Sequence, residues 1–591
     1  MNQNFHPFVI PFMLGVIFLV IVMIVRLVRW FRMMDKRQRV AVSRNIISFK
    51  TLKAIWETIR ESLFHRNIFK TNFVLGYMHF CFAFGWLMLI VMGKVEEIFA
   101  SGKIFTEPWL GIFFKYFEPI GEHYPLQGFF AFVMDLLLLF VLSGLILAFI
   151  KRSRSTILGL RKTTNHSPID RTALTALWLI FPLRLFSESI TASYKGNGGF
   201  LTQTIGNWLS VLPVETIELP AWWAYSIALC VFFALMPFTR YMHIFTEVLL
   251  IFLRKWKVVE SAEKTGYTFI ELYSCSRCGI CIDTCQINSA ANINNTQAVY
   301  FIRDVREEQL QDEIADNCLM CNRCTNACPV GIEQTQIRRI YRRKKGFDSE
   351  KLYDYIKPEA PKDAQAKVLY FAGCMSHLTP GIITAMKQIL DNAKIDYHFL
   401  DEDKSICCGR PLKQQGFLEQ ANALMRKNSE LINNAGGTVL VTSCPICYNS
   451  FAKDYNLSIP VMHHSQYIEQ LLNEGKLKVS KKKELRIAYH DPCEISRGHN
   501  IYESPRNIIT KVGELIPAGN EKDDSLCCGG SLANTIINPE QLTAIRNQTL
   551  DTLCINHPDI LATSCPLCKK SFQRGGNTIK VMDIAELIAL D

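Results

Sequence analysis

The sequence predicts a multi-domain chain: an all-α bundle of five membrane helices, then a small α-helical domain and two repeated α/β domains. Three observations predict this class. Five long apolar runs lie before residue 242, all but two of the 21 cysteines lie after residue 274, and one cysteine pattern occurs twice near the C-terminus. Hydrophobic residues make up 49% of the chain although 20% is charged, which suits a membrane part joined to a soluble part.

The apolar runs predict membrane helices, because a helix needs about 20 apolar residues to cross the hydrocarbon core. The first begins almost at Met1 but has no basic start and no small-residue cleavage site, so we expect an uncleaved anchor. The runs lie near residues 7–28, 72–93, 128–150, 173–193 and 221–241.

Lysine and arginine in the short connections predict the orientation, since they concentrate on the cytoplasmic side. Residues 29–70 carry 11 and residues 151–171 carry six, against three in 94–127 and one in 194–220. This bias predicts a multi-pass protein of the cytoplasmic (inner) membrane, with the N-terminus outside and everything after Arg254 in the cytoplasm. The net charge of +11 is then partly a topology signal, and no nucleic-acid partner is expected.

Two histidines lie at span ends near the predicted cytoplasmic face, His79 in GYMHFCF and His243 in RYMHIF. A lone histidine in a membrane is often a hydrogen-bonded structural residue. Two at equal depth fit the axial ligands of a b-type haem, which needs paired imidazoles in an apolar slot. We therefore expect His79 and His243 to bind haem b. His65, in the basic loop, is expected at the membrane interface.

These spans and histidines, continued by cysteine clusters, resemble the membrane (gamma) subunit of respiratory nitrate reductase and its relatives. That family often holds two haems with four histidines. Here the second pair would fall near Met92 and Tyr225, and neither is histidine. This departure favours one haem, on the cytoplasmic side.

Two cysteine runs share the spacing C-x2-C-x2-C-x3-C of a two-cluster ferredoxin, which predicts an α-helical domain with two [4Fe–4S] clusters at residues 259–350. Three closely spaced thiolates hold one cube, and the distant fourth binds the neighbouring cube. Zinc is the alternative, but zinc takes four ligands in pairs and fits two runs of four badly. The predicted ligands are Cys275, Cys278, Cys281 and Cys328 for one cluster and Cys318, Cys321, Cys324 and Cys285 for the other.

Two further features of this segment bear on its surroundings. The first cysteine run is followed by Gln286, where proline usually stands, although the ligand count is intact. Downstream, RRIYRRKK at Arg338 to Lys345 is interpreted as a solvated helix face. A contact with anionic lipid or an acidic partner is the alternative.

A five-cysteine pattern repeats in the C-terminal part, with matching flanks in VLVTSCPICYNSF and ILATSCPLCKKSF. β-rich runs end at the cysteines and helical stretches lie between them, which predicts α/β units with ligands outside the carboxyl ends of the strands. The adjacent cysteines lie in a glycine-containing turn, where the backbone can approach a cofactor closely. The two copies are Cys374, Cys407, Cys408, Cys444, Cys447 and Cys493, Cys527, Cys528, Cys565, Cys568.

This pattern resembles the CCG domains of heterodisulfide reductase, whose two copies each hold a noncubane [4Fe–4S] cluster. All ten positions are filled, so the resemblance implies two catalytic cluster sites, in CCG domains at residues 365–480 and 484–591. It also implies that His490 and Arg497 lie near the second cluster. Without the resemblance, the spacing supports only two metal–thiolate sites. Cys81, Cys230 and Cys554 are left for packing.

The order of parts, a haem domain at residues 1–258, two cubane clusters and two CCG units, predicts an oxidoreductase that conducts electrons between a cytoplasmic partner and membrane quinone. Resemblance to membrane-anchored heterodisulfide-reductase-type proteins implies electron-transfer flavoprotein as that partner. One alternative is a quinol-linked heterodisulfide or thiol reductase. Another is the electron-transfer and anchor subunit of a 2-hydroxyacid or glycerol-3-phosphate dehydrogenase. The chain has no flavin or nicotinamide fingerprint and no P-loop, so a partner or the clusters must supply two-electron chemistry.

Three ionisable residues inside the spans are candidates for quinone chemistry, because such residues cost roughly 2.5–3.5 kcal/mol to insert. Asp135 lies in the third span, and Arg184 and Glu188 lie in the fourth, all in the predicted outer half. Arg184 and Glu188 are four residues apart on one helix face, so mutual neutralisation is the alternative.

Overall fold

A computed structural model describes residues 5–118, 124–154, 167–261, 263–344, 353–356, 366–403, 406–480, 484–532, 534, 536–574 and 579–589. The chain divides into two units. The membrane unit comprises residues 1–280 and 329–332, and the cysteine unit comprises residues 281–328 and 333–591. The membrane unit thus runs past the predicted boundary at residue 258 and takes in the first two cysteines of the ferredoxin-type segment. The predicted domain boundaries remain predictions.

Five helical segments of the described chain are long and apolar enough to cross a membrane, as predicted: Val9–Arg32, Phe73–Ser101, Gln127–Ser153, Pro168–Lys195 and Val214–Phe238. A π-helical turn at Cys81–Gly85 interrupts the second one. The α-helices of the membrane unit are α1 Val9–Arg32, α2 Lys36–Asn45, α3 Phe49–Thr58, α4 Arg66–Thr71, α5 Phe73–Phe80, α6 Trp86–Ser101, α7 Leu110–Phe117, α8 Gln127–Ser153, α9 Pro168–Lys195, α10 Phe200–Leu209, α11 Val214–Leu235, α12 His243–Lys255 and α13 Gly266–Tyr273.

Small residues let the membrane helices approach one another closely, as is usual where lipid supplies no hydrophobic drive for association. A Cβ added to Gly15 in α1 would lie 2.8 Å from the Cα of Cys230 in α11. A Cβ added to Gly144 in α8 would lie 2.6 Å from the Cβ of Cys81. Cys81 and Cys230 are thus packing residues, as their absence from any cysteine motif predicts.

The cysteine unit contains two four-stranded sheets whose paired strands are parallel, which confirms the α/β prediction. The strand orders are β2-β1-β3-β4 and β6-β5-β7-β8. The two sheets therefore have the same topology, as expected of a sequence repeat. The strands are β1 Val368–Phe371, β2 Tyr397–Phe399, β3 Val439–Thr442, β4 Val461–His463, β5 Arg486–His490, β6 Glu514–Leu515, β7 Ile560–Thr563 and β8 Lys580–Asp583.

Short helices connect these strands and build the ferredoxin-type segment. They are α14 Ile280–Asp283, α15 Gln286–Ser289, α16 Ala298–Arg306, α17 Asp312–Asp316, α18 Arg323–Asn326, α19 Gln334–Tyr341, α20 Cys374–His377, α21 Pro380–Asn392, α22 Arg410–Gln415, α23 Leu418–Asn434, α24 Pro445–Asp454, α25 His464–Asn473, α26 Ser496–His499, α27 Glu503–Val512, α28 Pro539–Leu553, α29 Pro566–Gln573 and α30 Ile584–Ile588.

The two repeats share one hydrophobic core. Ile389 in α21 and Ile468 in α25 belong to the same buried cluster as Ile508 in α27 and Leu587 in α30. All four side chains are at most 1% exposed. A fully buried apolar side chain contributes about 1.5–3 kcal/mol, so neither repeat keeps its full stability without the other. The repeats form one folded body.

Candidate functional site

The cysteines of the first repeat gather at the carboxyl ends of β1 and β3, which are neighbours in the sheet. Cys374 follows β1, and Cys444 and Cys447 follow β3. Gly373 lies between them with a φ of +85°, and a Cβ there would be 2.9 Å from the Sγ of Cys447. Glycine is needed at this position because the chain passes against the sulfur atoms.

The glycine after each adjacent cysteine pair adopts a backbone conformation with positive φ. Gly409 and Gly529 have φ values of +73° and +75°, in the left-handed region that glycine adopts most readily. This sharp turn lets the pair face the C-x-x-C of its own repeat. The thiols of Cys408 and Cys528 accordingly exchange hydrogen bonds with Cys447 and Cys568.

In each repeat, one thiol of the pair is held as a thiolate by its neighbours. Hydrogen bonds from Cys374 and then Cys408 lower the pKa of Cys407 to about 3. In the second repeat, hydrogen bonds from Cys527 and Cys568 hold the pKa of Cys528 well below its usual value. The thiolate is the form of cysteine that ligates metal, so each site holds one sulfur that favours this form.

Four cysteines of the ferredoxin-type segment interact within the cysteine unit: Cys285, Cys318, Cys321 and Cys324. They are the set predicted for the second cluster. Burial, followed by the nearby Cys318 and Cys321 sulfurs, raises the pKa of Cys285 to about 12. Because the raised pKa keeps the Cys285 thiol protonated, a positively charged iron cluster would bind here by displacing that proton.

The set predicted for the first cluster is divided between the two units, and its assignment remains a prediction. Cys275 and Cys278 belong to the membrane unit, whereas Cys281 and Cys328 belong to the cysteine unit. Within the membrane unit, Lys151 donates to the Cys278 carbonyl at 3.2 Å, and Arg277 pairs with the buried Asp170. These contacts attach the first cysteine run to the ends of α8 and α9.

Across the described residues, no three His, Cys, Asp or Glu side chains come together as closely as one bound ion would require. A mononuclear zinc site needs four such ligands at about 2.0–2.3 Å from the metal. The preference for [4Fe–4S] clusters over zinc rests on the spacing of the cysteine motifs.

The basic helix around Arg338 is only partly solvated, in contrast to the sequence-based interpretation, because Arg338 and Arg342 are buried while Arg343 and Lys344 are exposed. Arg338 is 3% exposed and donates to the carbonyls of Ile314 and Thr296. Arg342, 2% exposed, donates to Ala315 at 2.7 Å and to Cys318 at 3.3 Å. Buried guanidinium groups need such partners, and here they hold the loop that carries the second cysteine run. Lys345 lies outside the described residues.

His79 and His243 are both oriented by backbone carbonyls in the membrane unit. The Nδ1 of His79 donates to Leu75 O at 2.8 Å, and that of His243 to Arg240 O at 2.7 Å. Each bond fixes the tautomer in which Nε2 carries the lone pair, an arrangement typical of metal-ligating histidine. The rings also lie near enough to interact electrostatically. Both residues therefore fit a haem iron.

His65 is a third histidine at the same place, which the sequence reasoning put at the interface. It is only 8% exposed, and its ring lies 5.6 Å from that of His79 in a perpendicular arrangement. Its Nδ1 also donates to a carbonyl, that of Glu61 at 3.0 Å. Burial lowers the pKa of His65 to about 4, which keeps the imidazole neutral. The His65 ring also hydrogen-bonds to the His79 backbone, so His65 is a buried neighbour of the predicted ligand that no local sequence signal marks.

The three candidate residues for quinone chemistry differ in how their polar groups are paired. Asp135 accepts hydrogen bonds from Leu201 N at 2.7 Å and from Thr202 N at 2.9 Å, so it caps the start of α10. This is a structural role. Arg184 and Glu188 form a buried ion pair at 2.9 Å, with side chains 4% and 6% exposed.

His490 and Arg497 lie beside the second repeat's cysteines, as the resemblance implies. His490 Nε2 is 3.1 Å from the carbonyl oxygen of Leu526, which precedes Cys527, and burial lowers its pKa to about 4. Arg497 donates to Ser525 O at 2.7 Å. The sequence reasoning missed Glu494, whose carboxylate accepts from Arg410 at 3.2 Å and Gln414 at 3.0 Å and so ties the repeats together.

Comparison with family models finds two matches. The cysteine-rich domain family CCG matches residues 368–452 and 487–573, and the 4Fe-4S dicluster domain family matches residues 271–332. Both matches fall on the segments in which the cysteines gather. The chain therefore carries a ferredoxin-type domain and two CCG domains in addition to its membrane helices.

Several curated relatives are redox proteins by name. One component of the dihydromethanophenazine:CoB–CoM heterodisulfide reductase of Methanosarcina acetivorans is 23% identical, over 57% of this chain and 97% of that protein. EtfAB:quinone oxidoreductase of Syntrophomonas wolfei is 23% identical, over 62% of this chain and 67% of that protein. A "probable membrane-anchored ferredoxin" of Chromohalobacter salexigens is 25% identical, over 35% of this chain and 33% of that protein. The chain is an iron–sulfur oxidoreductase related to the first two.

Proposed function

We propose that this protein passes electrons between a cytoplasmic electron-transfer flavoprotein and the quinone of the inner membrane. The route comprises the two CCG sites, the two ferredoxin-type [4Fe–4S] sites and one haem b. The chief support is the hydrogen bond between the thiols of Cys321 and Cys527, which joins the ferredoxin-type segment to the second CCG domain. The name of the Syntrophomonas relative supports the two partners.

Each site uses residues of this chain in a defined way. The ten CCG cysteines and the eight ferredoxin-type cysteines would hold iron, which supplies one-electron redox chemistry when bound. His79 and His243 would hold haem through Nε2. The protein itself orients these ligands and supplies the compensating cations, notably Arg342 beside Cys318.

The iron content tests this assignment. Four four-iron sites predict about sixteen non-haem irons per chain in an anaerobically prepared sample. Elemental analysis with acid-labile sulfide measures both components of the clusters. A sample with about eight irons and stoichiometric zinc would contradict the CCG assignment.

Quinone is proposed to react near the Arg184–Glu188 pair. Glu188 would exchange the proton that quinone reduction requires, and Arg184 would stabilise the anionic intermediate. Asp135 is satisfied by α10 and is not part of this proposal.

Glu188→Gln is therefore expected to slow quinone reduction several-fold while leaving haem reduction by the cytoplasmic donor intact. Stopped-flow absorbance of the haem separates the two steps. Asp135→Asn is the matched comparison, because it should loosen α10 without selective loss of quinone turnover. Unchanged quinone turnover in Glu188→Gln would place the site elsewhere, beside the cytoplasmic haem edge.

Quinol-linked reduction of a heterodisulfide or thiol is the second candidate. The extent of the match to the heterodisulfide reductase component, 97% of that protein, favours it. Under anaerobic conditions, quinol-dependent loss of a disulfide substrate would support this reading. Flavoprotein-dependent quinone reduction without disulfide turnover would support the first.

A further inference from the structure

The ferredoxin-type segment meets the second CCG domain at Cys527. Cys527 is 5% exposed and lies in one buried cluster with Ile287, Leu319 and Ile545. The Cys321 thiol hydrogen-bonds to the sulfur of Cys527. One cysteine of the adjacent pair is thus in direct contact with a ferredoxin-type ligand.

Gln286 clamps the backbone of Cys527 from the ferredoxin side. Its Oε1 accepts from the Cys527 N–H at 2.5 Å, and its Nε2 donates to Thr549 Oγ1 at 3.0 Å. Thr549 in turn donates to Cys527 O at 2.7 Å. Gln286 directly follows Cys285, at the position where proline follows the second cysteine run as Pro329. Proline could make none of these side-chain bonds.

Arg497 closes the same contact from the CCG side. Its Nε donates to Cys321 O at 2.9 Å, and its Nη1 donates to Ser525 O at 2.7 Å. Its Nη2 is buried, with no hydrogen-bond partner among the described residues. The guanidinium charge acts on the thiols of both Cys321 and Cys493. It therefore offsets the negative charge that thiolates at this contact would carry.

The first CCG domain is arranged differently. Its thiols hydrogen-bond in a chain among themselves, from Cys374 to Cys407, Cys408 and Cys447. Cys374 is exposed and Cys407 half-buried, whereas their counterparts in the second domain, Cys493 and Cys527, are half-buried and buried. The exposed site is the one that a soluble protein can reach.

We propose that Gln286 and Arg497 are positioning residues for electron exchange between the ferredoxin-type segment and the second CCG domain. The second CCG site is then the inner one, and the first is the outer one, open to the soluble partner. One electron leaves one site and one enters the other, with no bond made or broken. This inference rests on the proposed function in electron transfer between flavoprotein and quinone.

Gln286→Pro removes the side-chain contact to the Cys527 backbone without removing any cysteine that would hold a cluster. Gln286 is the first residue of α15, where proline is tolerated, and Cys285 before it is extended (φ −88°, ψ 114°), as a residue before proline must be. Gln548→Met is the matched control. Gln548 contacts Ser289 Oγ at 3.1 Å across the same pair of helices but does not contact Cys527.

The readout is the magnetic interaction between the ferredoxin-type and CCG signals in low-temperature electron paramagnetic resonance of the reduced full-length protein. We expect Gln286→Pro to keep the iron content and both signals. The line broadening that each signal owes to its magnetic interaction with the other should be lost, and electron transfer from donor to quinone should slow at least about tenfold. Gln548→Met should keep the broadening. Wild-type broadening in both Gln286→Pro and Gln286→Met, or equal loss in Gln548→Met, would overturn the proposal.

The role of Arg497 is tested by measuring the midpoint reduction potential of the ferredoxin-type cluster rather than by measuring activity. Arg497→Met should shift the ferredoxin-type midpoint potential downward, because a cation that favours the reduced state is lost, whereas Arg497→Lys should restore most of the shift. Equal potentials in wild type and Arg497→Met would remove Arg497 from the proposal. An iron content of about eight in the wild type would instead refute the underlying function.

Discussion

Replacing Cys528 by serine is expected to abolish electron transfer from flavoprotein to quinone while leaving the ferredoxin-type signals largely intact. Cys528 carries the lowered pKa of the second repeat and contacts Cys527 and Cys568, so its loss removes the thiolate at the centre of that site. Changes even next to metal ligands cost 10–100-fold, so we expect a loss of at least about 100-fold. Anaerobic turnover and electron paramagnetic resonance measure the two quantities.

The control for this substitution is Cys554→Ser, because Cys554 lies outside the repeated pattern at the end of α28. That variant should retain turnover. Near-wild-type turnover in Cys528→Ser would contradict the assignment. Simultaneous loss of all cluster signals would show that the cysteine unit folds as one metal-dependent body, as its shared core allows.

Alanine at His243 is expected to eliminate the haem, and alanine at His79 likewise. Both imidazoles present Nε2 because their Nδ1 atoms are bound to carbonyls, so each substitution would remove one of the two residues proposed to hold a single low-spin haem b. The pyridine haemochrome assay gives the haem content, and we expect one haem per wild-type chain and little or none in either variant.

His65→Ala separates the assigned pair from its neighbour. If His79 and His243 are the ligands, His65→Ala should keep a low-spin haem, with at most a shifted potential because the rings of His65 and His79 are in contact. Loss of haem in His65→Ala together with retention in His243→Ala would reassign the pair. Two haems per wild-type chain would refute the single-haem account.

The membrane spans and cysteine groups were predictable because their signals are local. A membrane span is one apolar run. A cluster motif keeps its ligands within a few residues, so Cys318, Cys321 and Cys324 together predict one site. The strands ending at Cys374 and Cys444 were predictable for the same reason.

The contacts that join these parts were not predictable, because their partners are distant in sequence. Gln286 meets Cys527, 241 residues away, and the only sequence signal was a missing proline. Arg342 looked like part of a solvated basic run until its partners, Ala315 and Cys318, placed it in the interior. His65 lies beside a predicted haem ligand only because the fold sets its ring against that of His79.

The central claim is that electrons cross this chain between a soluble flavoprotein and quinone. The most direct measurement follows haem absorbance after anaerobic mixing of the full-length protein with reduced electron-transfer flavoprotein, and then with a water-soluble quinone analogue. The account predicts that the flavoprotein reduces the haem and that quinone reoxidises it. A haem that dithionite reduces but the flavoprotein does not would contradict it.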